Sequence, residues 1–202
     1  MTLLLESSHW QDYLKENEII NFSHPLIRSK ASELFKDKQS DMEKVKTAYH
    51  YVRDRIAHSW DIQSKRVTLT AAEVLFEGEG ICYAKSHLLA ALLRSEGIPA
   101  GFCYQRLMLF DTPDKGYCLH GLNGVFIESV DQWIRLDARG NKPGVQAEFS
   151  LDEEKLAFPV NESLGEADYP VIYAQPNRNI VALLKKHSNG LEMYENHLPD
   201  EL

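Results

Sequence analysis

Apolar residues at Met42, Val45, Ala48, Tyr49, Val52 and Ile56 recur close to the 3.6-residue period and predict a helix. Ser40-Asp41-Met42-Glu43 supplies its start, with a hydroxyl at the N-cap and a carboxylate three residues on. The pattern recurs in Thr70-Ala71-Ala72-Glu73, which opens a short helix through Val74-Leu75-Phe76. Glu77-Gly78-Glu79-Gly80 interrupts that helix, because paired glycines favour turns over a helix interior. From Cys82 the pattern turns helical again. Ala84, Leu88, Ala91, Leu92 and Ser95 line one stripe, and Leu89 and Leu93 widen it. Gly97 then stands where a left-handed cap belongs, and Pro99 forbids continuation. Upstream of all this, the first forty residues hold two short helices broken around His24-Pro25.

The middle of the chain reads as strand. Gly101 to Phe110, Tyr117 to Ile127 and Gln132 to Leu136 are three candidates. The first two are joined by the turn Asp111-Thr112-Pro113-Asp114-Lys115-Gly116, the last two by Glu128-Ser129-Val130-Asp131. Such short connections imply antiparallel pairing. Beyond Arg139 the sequence is loop-rich until an amphipathic helix, Ile180 to Lys186, that closes near Asn189-Gly190. Helices followed by antiparallel strands make an α+β order. With no repeat or low-complexity linker, residues 1–202 read as one domain, with a core at about 42–140 and extensions on both sides.

Composition narrows the function classes. The 202 residues are 44% hydrophobic and 26% charged, as in a soluble globular protein, and are enough to bury a core without disulfide or metal staples. A net charge of -8 argues against a nucleic-acid partner, which demands a basic surface. Lys185-Lys186, the densest basic run, fits a helix C-terminus. The N-terminal Met1-Thr2-Leu3-Leu4-Leu5-Glu6 has no basic n-region and only three leucines, so no signal peptide is expected. No apolar run approaches the roughly 20 residues that span a bilayer, and no membrane partner is expected. Three cysteines, an odd number, without an export signal point to free thiols in the cytoplasm. Attention moves from bridges to reactivity.

Cys82 follows Gly78-Glu79-Gly80-Ile81 at the first turn of the strongest predicted helix. Unpaired N–H groups and the positive end of the helix dipole favour an anion there, either a thiolate or an oxyanion on a bound acyl group. A thiolate nucleophile needs an imidazole partner, and the imidazole an orienting acceptor. His120 lies on the second strand and Asp137 at the end of the third. Paired as a hairpin, those strands bring both side chains to a common end, against which the Cys82 helix must pack.

Gly80-Ile81-Cys82-Tyr83-Ala84, with the helix ending Arg94-Ser95-Glu96-Gly97-Ile98-Pro99-Ala100, resembles the nucleophile block of the transglutaminase-like superfamily. His120-Gly121-Leu122-Asn123-Gly124-Val125-Phe126-Ile127 is similar to its histidine strand, and Trp133-Ile134-Arg135-Leu136-Asp137-Ala138 to its aspartate strand. The resemblance covers about residues 42–140 in the order Cys, His, Asp. It implies a papain-like α+β fold with helices packed on an antiparallel sheet, and a catalytic triad of Cys82, His120 and Asp137. It also implies acyl transfer on amide or peptide carbonyls through a thioester, with hydrolysis favoured over amine transfer and no cofactor. Leu122 departs from the pattern, standing where an aromatic wall residue is common; Trp60 is the positional candidate for an oxyanion-assisting indole. No calcium loop with alternating acidic ligands occurs.

Several residues have plainer readings too. Cys118 shares a strand face with His120 by the two-residue period. A zinc site of Cys82, Cys118 and His120 lacks CxxC or HxxxH spacing, so no metal is expected. Cys118 as an oxidation partner of Cys82 is the better minority reading, and Cys103 is expected in the core. His58, Trp60 and Asp61 form either a helix C-terminus, with an imidazolium meeting the dipole, or a cleft wall touching substrate. Tyr104, Gln105 and Arg106 could edge the same cleft, while Asp152-Glu153-Glu154 reads as a cap after Ser150 without chemistry. The expected substrate is a peptide, protein or small amide. Alternatives are a protein-glutamine transglutaminase, an arylamine N-acetyltransferase with the same triad order, and a catalytically idle binding module whose cleft is blocked from Asn141 onward.

Overall fold

The computed structural model describes residues 2–38 and 40–202; Met1, at the head of the N-terminal apolar run, lies outside the described residues. In chain order the elements begin with β1 (Leu4–Leu5), a 3-10 turn (Trp10–Leu14), α1 (Pro25–Phe35) and α2 (Asp41–Arg55). Next come β2 (Ala57–His58), α3 (Ala71–Glu77), β3 (Glu79–Gly80) and α4 (Cys82–Arg94). The strands β4 (Ala100–Met108), β5 (Tyr117–Ile127) and β6 (Gln132–Leu136) follow. The chain ends with β7 (Ala167–Asp168), β8 (Val171–Ile172), α5 (Arg178–Lys186) and α6 (Gly190–Asn196). This is an α+β fold, with helices packed against an antiparallel sheet.

Both predicted capping boxes form, Ser40 with Glu43 and Thr70 with Glu73, each hydroxyl accepting from the N3 backbone N–H. Gly78 ends α3 at φ 69°, a left-handed geometry costly for any residue with a Cβ. The chain reverses there into β3, which pairs in parallel with β2 through Ala57–Glu79 and His58–Gly80. That two-residue pair, too short to show alternation, delivers the backbone to Cys82.

The main sheet has the order β6-β5-β4-β7 and is antiparallel throughout. Gln105 lies opposite His120, and Asn123 opposite Leu136, so Asp137 follows directly on β6. Every residue of α4 is buried, Lys85, Ser86, His87 and Arg94 included. The apolar stripe read from sequence is therefore only part of it: α4 is a central helix, covered on all sides. Its two buried cations are held by carbonyls. Arg94 donates to Ala100, Ala174 and Lys15, and Lys85 Nζ donates to Ile56 O at 2.5 Å. Burial nonetheless lowers the Lys85 ammonium to about 7.

α4 lies over the β5 residues alternate to His120. The Tyr83 ring packs on Gly121, where an added Cβ would come within 2.8 Å of Tyr83 Cδ1. Tyr83 Oη donates to Leu119 O, and Asn123 Nδ2 donates to Ser86 O at 3.1 Å. The first residue of the helix is thereby brought beside the histidine.

The chain after β6 carries more structure than its sequence shows. β7 joins the sheet edge against β4, and β8 pairs in parallel with β1. Asn189-Gly190, expected to close the last helix, opens another: the Asn189 side chain accepts from Leu191 and Glu192 N–H and caps α6. Glu154, in the run read as a simple cap, grips the buried Arg135 guanidinium at 2.7 Å.

Candidate active site

A cleft of about 460 Å³ opens where the start of α4, the first half of β5 and the C-terminal segment meet. Cys82, His58, Trp60, Cys118 and His120 line it, together with Phe158, Tyr194 and Leu198. No side chain caps the N-terminus of α4, whose N-cap is Ile81. Its first N–H groups therefore have no intrahelical acceptor. Cys82 sits there at 8% exposure. Its carbonyl accepts from Ser86 Oγ at 2.9 Å, tying the first turn together.

His120 Nε2 meets Asp137 Oδ2 at 2.8 Å, and both residues are buried. Nδ1 is the ring nitrogen left free by Asp137, and the neighbouring Cys82 side chain favours the charged ring. Burial opposes the imidazolium, but Asp137, by charge and hydrogen bond, overrides it and raises His120 to about 10. Asp137 is itself burdened by burial, yet is held below its usual range by His120 and two backbone donors. Those donors are Arg139 N–H to Oδ1 and Ala157 N–H to Oδ2, each at 3.1 Å. The aspartate is fixed by three partners, which fixes the imidazole plane in turn.

The other two thiols differ. Burial pushes both Cys103 and Cys118 up to about 12. Cys103 packs with Tyr13, Leu122 and Ile172 in a second apolar cluster, as its core reading expects. Cys118 lines the cleft beside His120, and all three cysteines are unpaired.

His58 and Trp60 line the cleft, as expected of a wall. The helix-end reading of His58 fails: it lies on β2, fully surrounded, and burial pushes its imidazole well below the usual value, so it carries no charge. Its neighbour Asp61 stands 4.0 Å away and is already claimed by the Arg139 guanidinium at 2.8 and 2.9 Å and by Lys142 at 2.7 Å. Tyr104 does not reach the cleft. It is buried in the main core, and its Oη accepts from Asn177 N–H at 2.8 Å. Arg106 is engaged elsewhere, over the Tyr117 ring at 3.6 Å.

Three contributors gave no sequence signal. Phe158 meets the His120 ring edge-to-face, centroids 5.1 Å apart at 90°. It is an aromatic wall at the histidine, whereas Leu122, the strand position where one is common, points into the second core cluster. Arg139 lies over the Phe158 ring at 5.6 Å. Tyr194 stacks on Trp60 at 4.4 Å and 12°. Loop and short-helix positions such as 158 and 194 carry no periodicity that would announce them.

A sequence model of the transglutaminase-like superfamily matches residues 28–138, more than half the chain and all three of Cys82, His120 and Asp137. The chain belongs to the transglutaminase-like superfamily. Two solved structures resemble this superfamily member in shape. One, from Cytophaga hutchinsonii and described as a "putative cysteine protease", is 18% identical with a TM-score of 0.49, over 66% of this chain and 43% of its own. Another, described as a "putative protease" from Parabacteroides distasonis, is 16% identical with a TM-score of 0.40, over 62% and 25%. The chain thus spans less than half of either structure. No curated protein matches it. Among the described residues, no helix is long and apolar enough to cross a membrane.

Proposed function

We propose that the protein is a cysteine-dependent amide or peptide hydrolase, one domain over residues 1–202, with Cys82, His120 and Asp137 as its triad. The observation that carries this reading is the His120–Asp137 bond of 2.8 Å beside a cysteine at an uncapped helix N-terminus. Cys82 Sγ, paired with the His120 imidazolium, attacks the substrate carbonyl carbon. The oxyanion that forms turns toward the first N–H groups of α4. His120 then gives its proton to the departing amine as the carbon–nitrogen bond breaks, leaving a thioester on Cys82. Water, deprotonated by the now neutral His120, attacks the thioester, and the acid product leaves with the thiol regenerated. Asp137 holds the ring plane and its charge throughout.

Hydrolysis is favoured over transfer to an amine because water needs no subsite, and the cleft has room for it around Cys82. The test is mass spectrometry of protein quenched during turnover of an activated acyl amide, with and without a primary amine. The expected result is an acyl adduct on Cys82 that resolves to free acid even with millimolar amine present. Amide formation to the added amine would favour the transglutaminase alternative. Absence of any adduct and of turnover would favour an idle binding module.

A further inference from the structure

The turn between the two C-terminal helices gathers three side chains of metal-ligand type. His187 follows α5, Glu192 stands in the first turn of α6, and His197 follows α6. His187 Nδ1 lies 3.3 Å from Glu192 Oε2, and His197 Nε2 lies 2.5 Å from Glu192 Oε1. The two imidazole rings are 4.5 Å apart, inclined at 32°. One ligand atom from each residue falls within 4.8 Å of the others, the one such triple among the described residues. A zinc ion held at about 2.0–2.2 Å by imidazole nitrogen and carboxylate oxygen brings its ligand atoms to roughly 3.3 Å of one another. Glu192 and His197 are about half exposed, so small side-chain rotations close the remaining gap.

We propose that His187, Glu192 and His197 form a binding site for a zinc-like divalent transition-metal ion. Two neutral imidazoles and one carboxylate are borderline donors that suit zinc, cobalt or nickel better than calcium or magnesium. Three protein ligands leave a fourth position to water. The spacing, four residues between each ligand and the next, matches no short motif, so sequence alone expected no metal. The convergence comes from the capped turn at Asn189.

The site braces the cleft. Glu192 and His197 bracket Tyr194, which stacks on Trp60. Immediately after His197, Leu198 lines the cleft, and Pro199 O accepts from Leu119 N–H at 2.7 Å, next to His120 in sequence. An ion here pins both ends of α6 and with them one wall of the cleft. This inference stands whether or not Cys82 is the nucleophile.

The test is zinc titration by calorimetry of tag-free, full-length protein carrying Cys82→Ala, so that the cleft thiol cannot bind zinc. The expected result is a single site of micromolar or tighter affinity and a rise in melting temperature of about 5 °C at saturation. Adding His187→Gln and His197→Gln should weaken binding at least about 100-fold and abolish the thermal shift. Should that combination fail to fold, Glu192→Gln, a change at an exposed position, carries the test with a loss of about 10-fold or more. Equal affinity in parent and variants, or no binding by the parent, overturns the proposal.

Discussion

Two regions of the chain meet at the same cleft and differ in origin. Residues 28–138, matched by the superfamily, contribute Cys82 on α4, His120 on β5 and Asp137 after β6. Residues beyond 138 contribute what surrounds them: the Ala157 N–H on Asp137, Phe158 against His120, Tyr194 on Trp60 and Pro199 beside Leu119. In the first region, position is enforced by regular structure. A helix buried on every side and a strand register that sets Gln105 against His120 leave little freedom. In the second, position is enforced by single contacts from loops and short helices. Cys82, His120 and Asp137 therefore sit on the half held by regular structure, and the half that shapes access around them is built from loops and short helices.

The comparison breaks most sharply at Asp137. Asp137→Asn keeps the shape but removes the charge that holds His120, and turnover should fall about 10³–10⁴-fold. A loss under tenfold would mean that the matched half does not carry the chemistry. The same pair should show in stability. Because the folded pKa of His120 is raised to about 10, its contribution is fully present below about 6.5 and fades as pH rises toward 10. The Asp137 side, lowered on folding, contributes above its ordinary value near 4 and is lost in acid. The melting-temperature gap between wild type and His120→Ala should accordingly narrow from pH 6.5 to 10; a constant gap would contradict the pairing.

Within the rigid half, Gly121→Ala drives a methyl to 2.8 Å from the Tyr83 ring, whose hydroxyl is anchored on Leu119 O. Denaturant unfolding should show a loss of about 1–3 kcal/mol. In the loop-built half, Phe158→Ala should lower kcat/KM about tenfold or less, since an edge-to-face pair is worth roughly 0.5–1.5 kcal/mol. An effect as large as that of Asp137→Asn would erase the distinction between the halves.

The same division governs what the sequence made legible. The strand spans 117–127 and 132–136, and the helix from Cys82 to a glycine-proline stop, follow from periodicity and capping, and the fold reproduces them. Their order also brings Cys82, His120 and Asp137 together. What escaped is what periodicity cannot register. Glu79–Gly80 and Val171–Ile172 are strands of two residues. Asn189-Gly190 serves equally well as a helix stop or a helix start, and side-chain capping decides for the start. The charged helix-end reading of His58 fails and Tyr104 stays out of the cleft because burial, invisible in a local window, neutralises the first and encloses the second. Arg139 is two residues from Asp137, yet its role in holding Asp61 depends on a partner 78 positions away.

The central claim is that His120 activates Cys82, and the most direct measurement is the rate of iodoacetamide labelling of Cys82 between pH 5 and 9. In wild type the charged His120 ring stands beside Cys82 throughout this range, because it keeps its proton until about pH 10, and labelling should be faster than in His120→Ala at every pH. In His120→Ala it should be slow near pH 6 and rise about tenfold per pH unit, as for an ordinary free thiol. If wild type and variant follow the same rising curve, His120 does not activate Cys82 and the account of the site is wrong.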